Sequence, residues 1–265
     1  MTTGDLIIMD ALLTRTVSSY PSDKARLATI LARRTSGHIF TIDECVESMV
    51  RAILTNSVPW ARIAPHIASG RIDSIFHGYS ALTLKTVPYM DLVHDLRAIK
   101  CGNPSDVAQM RVLADNIETL ERMISTYGSM EAYFRALCPT TYPQISYSAL
   151  KDFDISGRYK LGQMGIPLVC EFLKNMGFLL PKPDRHLKRF FSGDRMGTIA
   201  RPASNADVFS QIEMLAESGT FTIPEIDLMV WSFCAKGYGE VCTKAPNCTV
   251  CPFHWTHGGS CAKRP

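Results

Sequence analysis

The chain lacks any apolar run approaching the ~20 residues that a membrane-spanning helix needs. The best candidate, Ile166 to Phe172, is short and contains Glu171. The first residues, Met1 to Thr14, lack the basic-then-apolar order of a secretory signal, because Asp5 and Asp10 interrupt a short apolar stretch. No membrane association and an intracellular location are therefore expected. Strand signals are scarce: no long alternating segment is present, and no Asn-Gly or Asp-Gly pair links two candidate strands. Internal repeats and low-complexity tracts are also absent. Charge of one sign is not in large excess, since the formal net charge is +3 over 265 residues, which neither demands nor forbids a nucleic-acid partner. With 46% hydrophobic and 20% charged residues a sizeable core is available and global disorder is excluded. The length suits one large or two modest domains.

Cysteine is abundant and oddly placed. Of nine cysteines, five (Cys234, Cys242, Cys248, Cys251 and Cys261) fall in the last 32 residues. An odd count concentrated at one end, without a secretory signal, fits a disulfide framework poorly and points to metal or cluster ligation. The pattern Cys242-x5-Cys248-x2-Cys251-x9-Cys261 places two thiolates on one tight turn, with flanking cysteines to close the loop. Four thiolates suit a [4Fe–4S] cluster or a structural zinc, and spacing alone does not separate them. His254 and His257 offer replacements for a cysteine in a zinc site. Cys234 reads as core, as do the scattered Cys45, Cys101, Cys138 and Cys170.

The small net charge conceals an uneven distribution. Residues 1–150 balance 14 basic against 14 acidic side chains, whereas 151–201 carry 10 against 5, 202–241 carry 1 against 6, and 242–265 carry 3 against none. Helical signals dominate throughout. Thr41-Ile-Asp-Glu44 is a capping box that opens a helix through Val46, Met49, Val50, Ile53 and Leu54, and Pro59 limits its continuation. Ser22 is placed to cap a helix ending near Arg34. Val107 to Tyr127 repeats apolar residues at three- and four-residue spacing as one helix, stopped by Gly128, and Ser129 starts a short helix to about Leu137. Ser204 or Asn205 caps a helix ending at Gly219. Thr222-Ile-Pro-Glu225 is a second capping box, with a helix running to about Lys236.

Tyr159-Lys-Leu-Gly-Gln-Met-Gly-Ile-Pro167 reads as a tight turn between two helices, the second spanning about Leu168 to Met176. Such a corner presents backbone N–H groups at a helix N-terminus, where a phosphate oxygen fits, and Gln163 and Gly165 are its candidate DNA contacts. After it comes Pro181-Lys-Pro-Asp184-Arg-His-Leu-Lys-Arg189. There Asp184 is either a helix N-cap or a carboxylate aimed into a cleft.

This order of hairpin, apolar helix, Pro-x-Pro-Asp-Arg-His-Leu-x-Arg and terminal Cys-x5-Cys-x2-Cys-Pro resembles the helix-hairpin-helix DNA glycosylases of the endonuclease III type. The resemblance covers most of the chain and places Arg51-Ala-Ile-Leu-Thr-Asn-Ser57 on the early lesion-facing helix. It implies an all-α protein of two helical domains flanking a DNA-binding cleft. The central domain would span 38–182, with 1–37 and 183–265 forming the second together with the cysteine cluster. The implied partner is double-stranded DNA containing a modified or mismatched base, bound by a monomer that flips that base out of the stack. Asp184 matches the catalytic aspartate, Cys242, Cys248, Cys251 and Cys261 match the cluster ligands, and Arg185 and Lys188 stand where phosphate contacts are expected. Asn56 and Ser57 are placed either to fill the gap left by the flipped base or to end their helix.

Four positions depart from the family pattern. Bifunctional members carry a Schiff-base lysine just after the hairpin's second glycine, where this chain has Ile166-Pro167. Gln163 replaces the first hairpin glycine. Arg51 occupies the place of the catalytic glutamate of adenine-mismatch members, and the last cysteine spacing is longer than usual. The reading that results is a monofunctional base-excision glycosylase. Two alternatives remain at this point. One is a phage-type relative that transfers an amine or amino acid onto a pyrophosphorylated 5-hydroxymethyl pyrimidine in DNA. The other is a non-catalytic DNA-binding module.

Overall fold

The computed structural model describes residues 1–197, 202–254 and 261–262. Among them are fourteen α-helices and two short 3₁₀ segments, His77–Tyr79 and Tyr147–Phe153, with no strand beyond an isolated bridge between His254 and Cys261. In chain order the helices are α1 (Thr3–Thr16), α2 (Tyr20–Thr35), α3 (Ile42–Leu54), α4 (Trp60–Ala68), α5 (Arg71–Ile75), α6 (Ala81–Leu84) and α7 (Tyr89–Ala98). They continue with α8 (Asp106–Arg111), α9 (Leu113–Tyr127), α10 (Met130–Leu137), α11 (Ile166–Asn175), α12 (Arg185–Phe190), α13 (Asn205–Ala216) and α14 (Ile223–Cys234). The expected all-α class is the class observed. The chain divides into two compact units, one made of Met1–Ala32 with Leu179–Pro265 and the other of Arg33–Phe178.

The central unit is organised on α3. Its Thr41 side chain accepts the Glu44 amide hydrogen while Glu44 reaches back to the Thr41 N–H, so the capping box satisfies two otherwise orphaned donors. The apolar residues that follow give it a wide buried face, including Val46, Met49, Val50, Ile53 and Leu54, and this face packs chiefly on α11 and also on α9. One buried arginine closes the unit. Arg34 donates from Nε and Nη2 to the carbonyl of Met176 (3.1 and 2.7 Å) and from Nη1 to Glu131 Oε1 (2.9 Å). Its guanidinium lies over the Phe178 ring at 4.2 Å, and Glu131 Oε1 also accepts from the Phe40 N–H.

The other unit buries α14 against α1, α12 and α13. Its core is aromatic and aliphatic: Leu6, Met9 and Leu13 from α1, Leu187 and Phe190 from α12, Val208 and Ile212 from α13, and Ile226, Val230 and Phe233 from α14. Capping boxes Thr2/Asp5, Ser204/Asp207 and Thr222/Glu225 begin three of these helices.

Several local expectations are corrected. The single helix over Val107–Tyr127 is two helices, α8 and α9, broken at Val112 (φ −99°, ψ 7°). Periodicity misses the break because both halves keep an apolar stripe; at the break Val112 lies against Gly162, whose Cβ position would sit 3.1 Å from the Val112 side chain. Ser22 does not cap α2. The helix begins at Tyr20, with Pro21 in its first turn, and the Ser22 hydroxyl donates to the Ser19 carbonyl instead. The helix after the glycine turn starts at Ile166 rather than Leu168, and α14 ends at Cys234, two residues early. Helices α1 and α4 to α7 carry no strong sequence announcement, and packing rather than propensity accounts for them.

Replacing Arg34 with Met would strand the buried Glu131 carboxylate. A loss of roughly 3–5 kcal/mol is expected in urea unfolding, and the double variant Arg34→Met/Glu131→Leu should recover part of it. A loss below about 1 kcal/mol would show that the clamp is dispensable.

Candidate functional site

Asp184 sits at the junction between an extended segment and α12. Pro181 and Pro183 hold that segment out of helical geometry, and Asp184 itself is extended (φ −81°, ψ −178°). Its Oδ1 accepts from the His186 and Leu187 N–H groups at 2.7 and 3.2 Å, so Asp184 is the N-cap of α12. Among the described residues no hydrogen bond reaches Oδ2. The cap and the cleft-directed carboxylate are thus compatible, because one oxygen suffices for the cap. The approach to Asp184 is fixed by a residue that the sequence reading missed: buried Asp227 of α14 accepts the Lys182 N–H at 2.7 Å. A second carboxylate beyond the capping Glu225, set in the apolar run that ends at Cys234, was its signal.

His186 packs its ring edge on Trp231 at 6.3 Å and meets Arg189 Nη2 through Nδ1 at 3.1 Å. Burial holds its pKa below the usual 6.5, with Asp184 opposing and Arg189, Arg185 and Lys182 reinforcing the shift. A neutral ring at pH 7, accepting from arginine through Nδ1, carries its proton on Nε2. Arg185 is exposed and Lys188 half-buried, so both cationic stems reach solvent beside Asp184.

The glycine turn belongs to the central unit. Gln163, which stands where the resemblance expects a glycine, adopts a left-handed φ of 56° and is exposed. The turn geometry therefore survives the substitution, at a backbone cost of roughly 1–2 kcal/mol. Asn116 offsets this by gripping Gly162 from both sides: Nδ2 donates to the Gly162 carbonyl (3.1 Å) and Oδ1 accepts its N–H (2.6 Å). Asn116 was not foreseen, although a polar residue on the apolar face of Leu113, Ile117 and Leu120 was a readable anomaly. Lys160 closes the turn by donating from Nζ to the Met164 carbonyl, and burial lowers its pKa. Gly165 is the exposed N-cap of α11, with φ −76° that any residue could adopt and only an ordinary contact, Pro167 Cδ at 3.8 Å, at its Cβ position. Its exposed backbone is the part of the turn best shaped for a phosphate oxygen.

Asn56 and Ser57 follow α3 directly, but the C-cap is Thr55, so neither ends the helix by capping it. Ser57 has φ 62° and is exposed, with its hydroxyl 3.4 Å from Asn56 Oδ1. One turn earlier, Arg51 pairs with Glu47 at 2.6 Å and lies over the Tyr79 ring at 5.9 Å, while the Tyr79 hydroxyl donates to Asp73 at 2.6 Å. Arg51 is engaged in this ion pair and has no capacity to act as a base.

The C-terminal cysteines lie in the unit that holds Asp184. Cys242 and Cys261 are buried, Cys248 and Cys251 half-buried, and Cys251 N–H donates back to the Cys248 carbonyl at 3.4 Å to form the expected tight turn. Burial pushes the Cys251 thiol up to about 11, with added repulsion from Cys242, Cys261 and Cys248. Cys242, Cys261 and Cys248 thus lie within electrostatic reach of Cys251. Among the described residues, no three His, Cys, Asp or Glu side chains are arranged around one point as a bound metal would require. Cys234 is core, as expected, yet it also hydrogen-bonds Cys242, and this contact is the first cause of a lowered Cys242 pKa. His257 lies outside the described residues. Cys45, Cys101, Cys138 and Cys170 are buried, in keeping with a packing role. Arg189 joins the two halves of this region, donating from Nε to the Cys242 carbonyl at 3.3 Å while touching His186.

The cap geometry separates two substitutions at Asp184. Asp184→Ala should lower stability by about 1 kcal/mol, and Asp184→Asn, whose amide oxygen still caps α12, by only a few tenths; paired denaturant titrations distinguish them.

No protein-family model matches the chain, and no curated protein matches it. Among solved structures, the 8-oxoguanine glycosylase/lyase of Methanocaldococcus jannaschii, in complex with a 15mer DNA containing 8-oxoguanine, is similar with a TM-score of 0.52. The match has 14% identity and covers 86% of this chain and 96% of that one. At this identity the likeness concerns architecture alone: the chain shares the all-α fold of that structure.

Proposed function

We propose that the protein is a DNA base-excision glycosylase that flips a modified or mismatched base from duplex DNA and hydrolyses its N-glycosidic bond, without a lyase step. The observation that carries this reading is Asp184, a carboxylate fixed by its cap through Oδ1 with no hydrogen bond to Oδ2 among the described residues. Hydrolysis breaks the bond from sugar C1′ to the base nitrogen. Water delivers its oxygen to C1′ and a proton to the leaving base. A fixed negative charge beside the developing oxocarbenium ion favours that step, and Asp184 would relay the water's proton on its way to the leaving base. The fold likeness to a glycosylase seen with DNA supports the partner class, and the hairpin with Gly165 exposed at the start of α11 supports a backbone contact to phosphate. Ile166 and Pro167, after the hairpin, offer no amine for a Schiff base.

Arg185 and Lys188 serve as phosphate contacts in this reading, and Asn56 and Ser57 occupy the gap left by the flipped base. Cys242, Cys248, Cys251 and Cys261 would hold a [4Fe–4S] cluster, with zinc as the alternative metal. Either one, once bound, supplies a structural cross-link to a loop that has little regular structure of its own.

The test is incubation of the purified protein with duplexes carrying uracil, alkylated purines, oxidised bases or 5-substituted pyrimidines, with products resolved by mass before and after alkali. Release of a free base, with strand breaks only after alkali, is the expected result. A mass change retained on the DNA would replace the glycosylase by a base-modifying transferase, and breaks without alkali would restore a lyase step.

A further inference from the structure

The most exposed large apolar side chain among the described residues is Ile155, at 87%. It stands at the tip of the loop that joins the 3₁₀ segment Tyr147–Phe153 to the glycine turn. So placed, it contributes almost nothing to the core of its unit. The loop that carries it is nevertheless locked at both ends. The Tyr133 hydroxyl donates to Asp152 Oδ2 at 2.9 Å, and the Asp152 carbonyl accepts the Tyr159 N–H at 2.8 Å. Tyr159 is fully buried, with its ring edge-to-face against Tyr133 and Tyr127 at 5.7 and 6.3 Å.

The tip is held as tightly. The Ile155 N–H donates to Asp154 Oδ1 at 2.8 Å, and the Gly157 N–H donates to the Asp154 carbonyl at 2.8 Å. Glycine is required at 157, because a Cβ there would lie 2.3 Å from the Asp152 carbonyl oxygen. Both carboxylates of the loop are engaged, Asp152 by a hydroxyl and Asp154 by a backbone amide. The exposed residues around Ile155 in the chain are polar or charged: Asp154 and Ser156 beside it, Lys151 and Arg158 on the flanks. A lone apolar tip in such a ring is too small to be the apolar core of a protein–protein interface. It has the form of the side chains with which proteins part stacked bases: aliphatic, rigidly carried and flanked by cations for the phosphates.

We propose that Ile155 is an apolar wedge that enters a base step of duplex DNA while Lys151 and Arg158 meet the adjoining phosphates. The inference rests on the DNA-partner reading and deepens it, adding a contact surface that precedes Gln163 and Gly165 in the chain. Within 151–160, Lys151, Arg158 and Lys160 outnumber Asp152 and Asp154. That balance favours a polyanion over an acceptor surface of neutral or positive charge. Parting a base step is unfavourable in itself, so a loop that needs no ordering on binding suits the task.

The test uses the full-length chain and a duplex with one tetrahydrofuran abasic-site analogue, with 2-aminopurine scanned through the neighbouring positions. The missing base removes flipping as a source of signal. The parent chain should brighten 2-aminopurine at one step. Ile155→Ala should lose that signal and bind about 10-fold more weakly, with an unchanged dependence of affinity on salt, because no charge is removed. Ile155→Leu should keep both the signal and the affinity, and thermal unfolding of both variants should match the parent, since the side chain is exposed. Lys151→Ala/Arg158→Ala should flatten the salt dependence. Parental affinity and brightening by Ile155→Ala overturn the wedge, as does a parent that binds but brightens no step. An Ile155→Ala chain with altered oligomeric state and intact DNA binding assigns the tip to a contact between copies and overturns it too. A parent that binds neither this duplex nor any modified-base duplex overturns the DNA-partner reading, and this inference with it.

Discussion

One buried guanidinium holds the central unit closed. Arg34 stands at its entrance in the chain and takes the carbonyl of Met176 and the carboxylate of Glu131, while its flat face rests on Phe178 at the exit. Met176 is the C-cap of α11, and Gly165 is its N-cap. A ten-residue helix is therefore gripped at one end by a buried ion pair and bears the exposed glycine turn at the other. Packing of α11 on α3 makes that arrangement stiff, and α3 ends at the segment carrying Asn56 and Ser57. The surface features assigned to DNA in this unit thus depend on a charge cluster that never reaches solvent, and such a cluster is tolerated only because each member is paired.

The second unit solves a similar problem with helix ends. Asp184 terminates a proline-bounded extension that Asp227 ties to α14, and it begins α12 by capping two amides with a single oxygen. Folding therefore uses one atom of this carboxylate and leaves the other for the chemistry proposed for it. Downstream, Arg189 connects α12 to the start of the cysteine loop, so the helix that Asp184 begins and that loop are tied together. The Arg195 carbonyl ties down the far end of that loop by accepting the Ala262 N–H.

The sequence was informative where chemistry is local. Capping boxes at Thr41 and Thr222, the stop at Gly128 and the helical class follow from short-range hydrogen bonding and periodicity, and all are present. The break at Val112 was invisible because the helices on either side of it keep one apolar periodicity. Gln163 looked like damage to the phosphate turn; the left-handed backbone persists because Asn116 braces it from α9. Asp227 and Asn116 were legible as polar residues in apolar stripes, but which backbone group each holds depends on tertiary placement. Base identity was not legible at all, since it depends on pocket shape and not on a motif.

The account stands most directly on the charge of Asp184. The measurement is the single-turnover rate of base release by Asp184→Asn on whichever duplex the parent protein cleaves, alongside its thermal unfolding. With the cap intact and the charge gone, the melting temperature should be nearly unchanged and base release should fall by about 10²-fold or more. Parental rates in a normally folded Asp184→Asn protein would reduce Asp184 to a helix cap and contradict the mechanism.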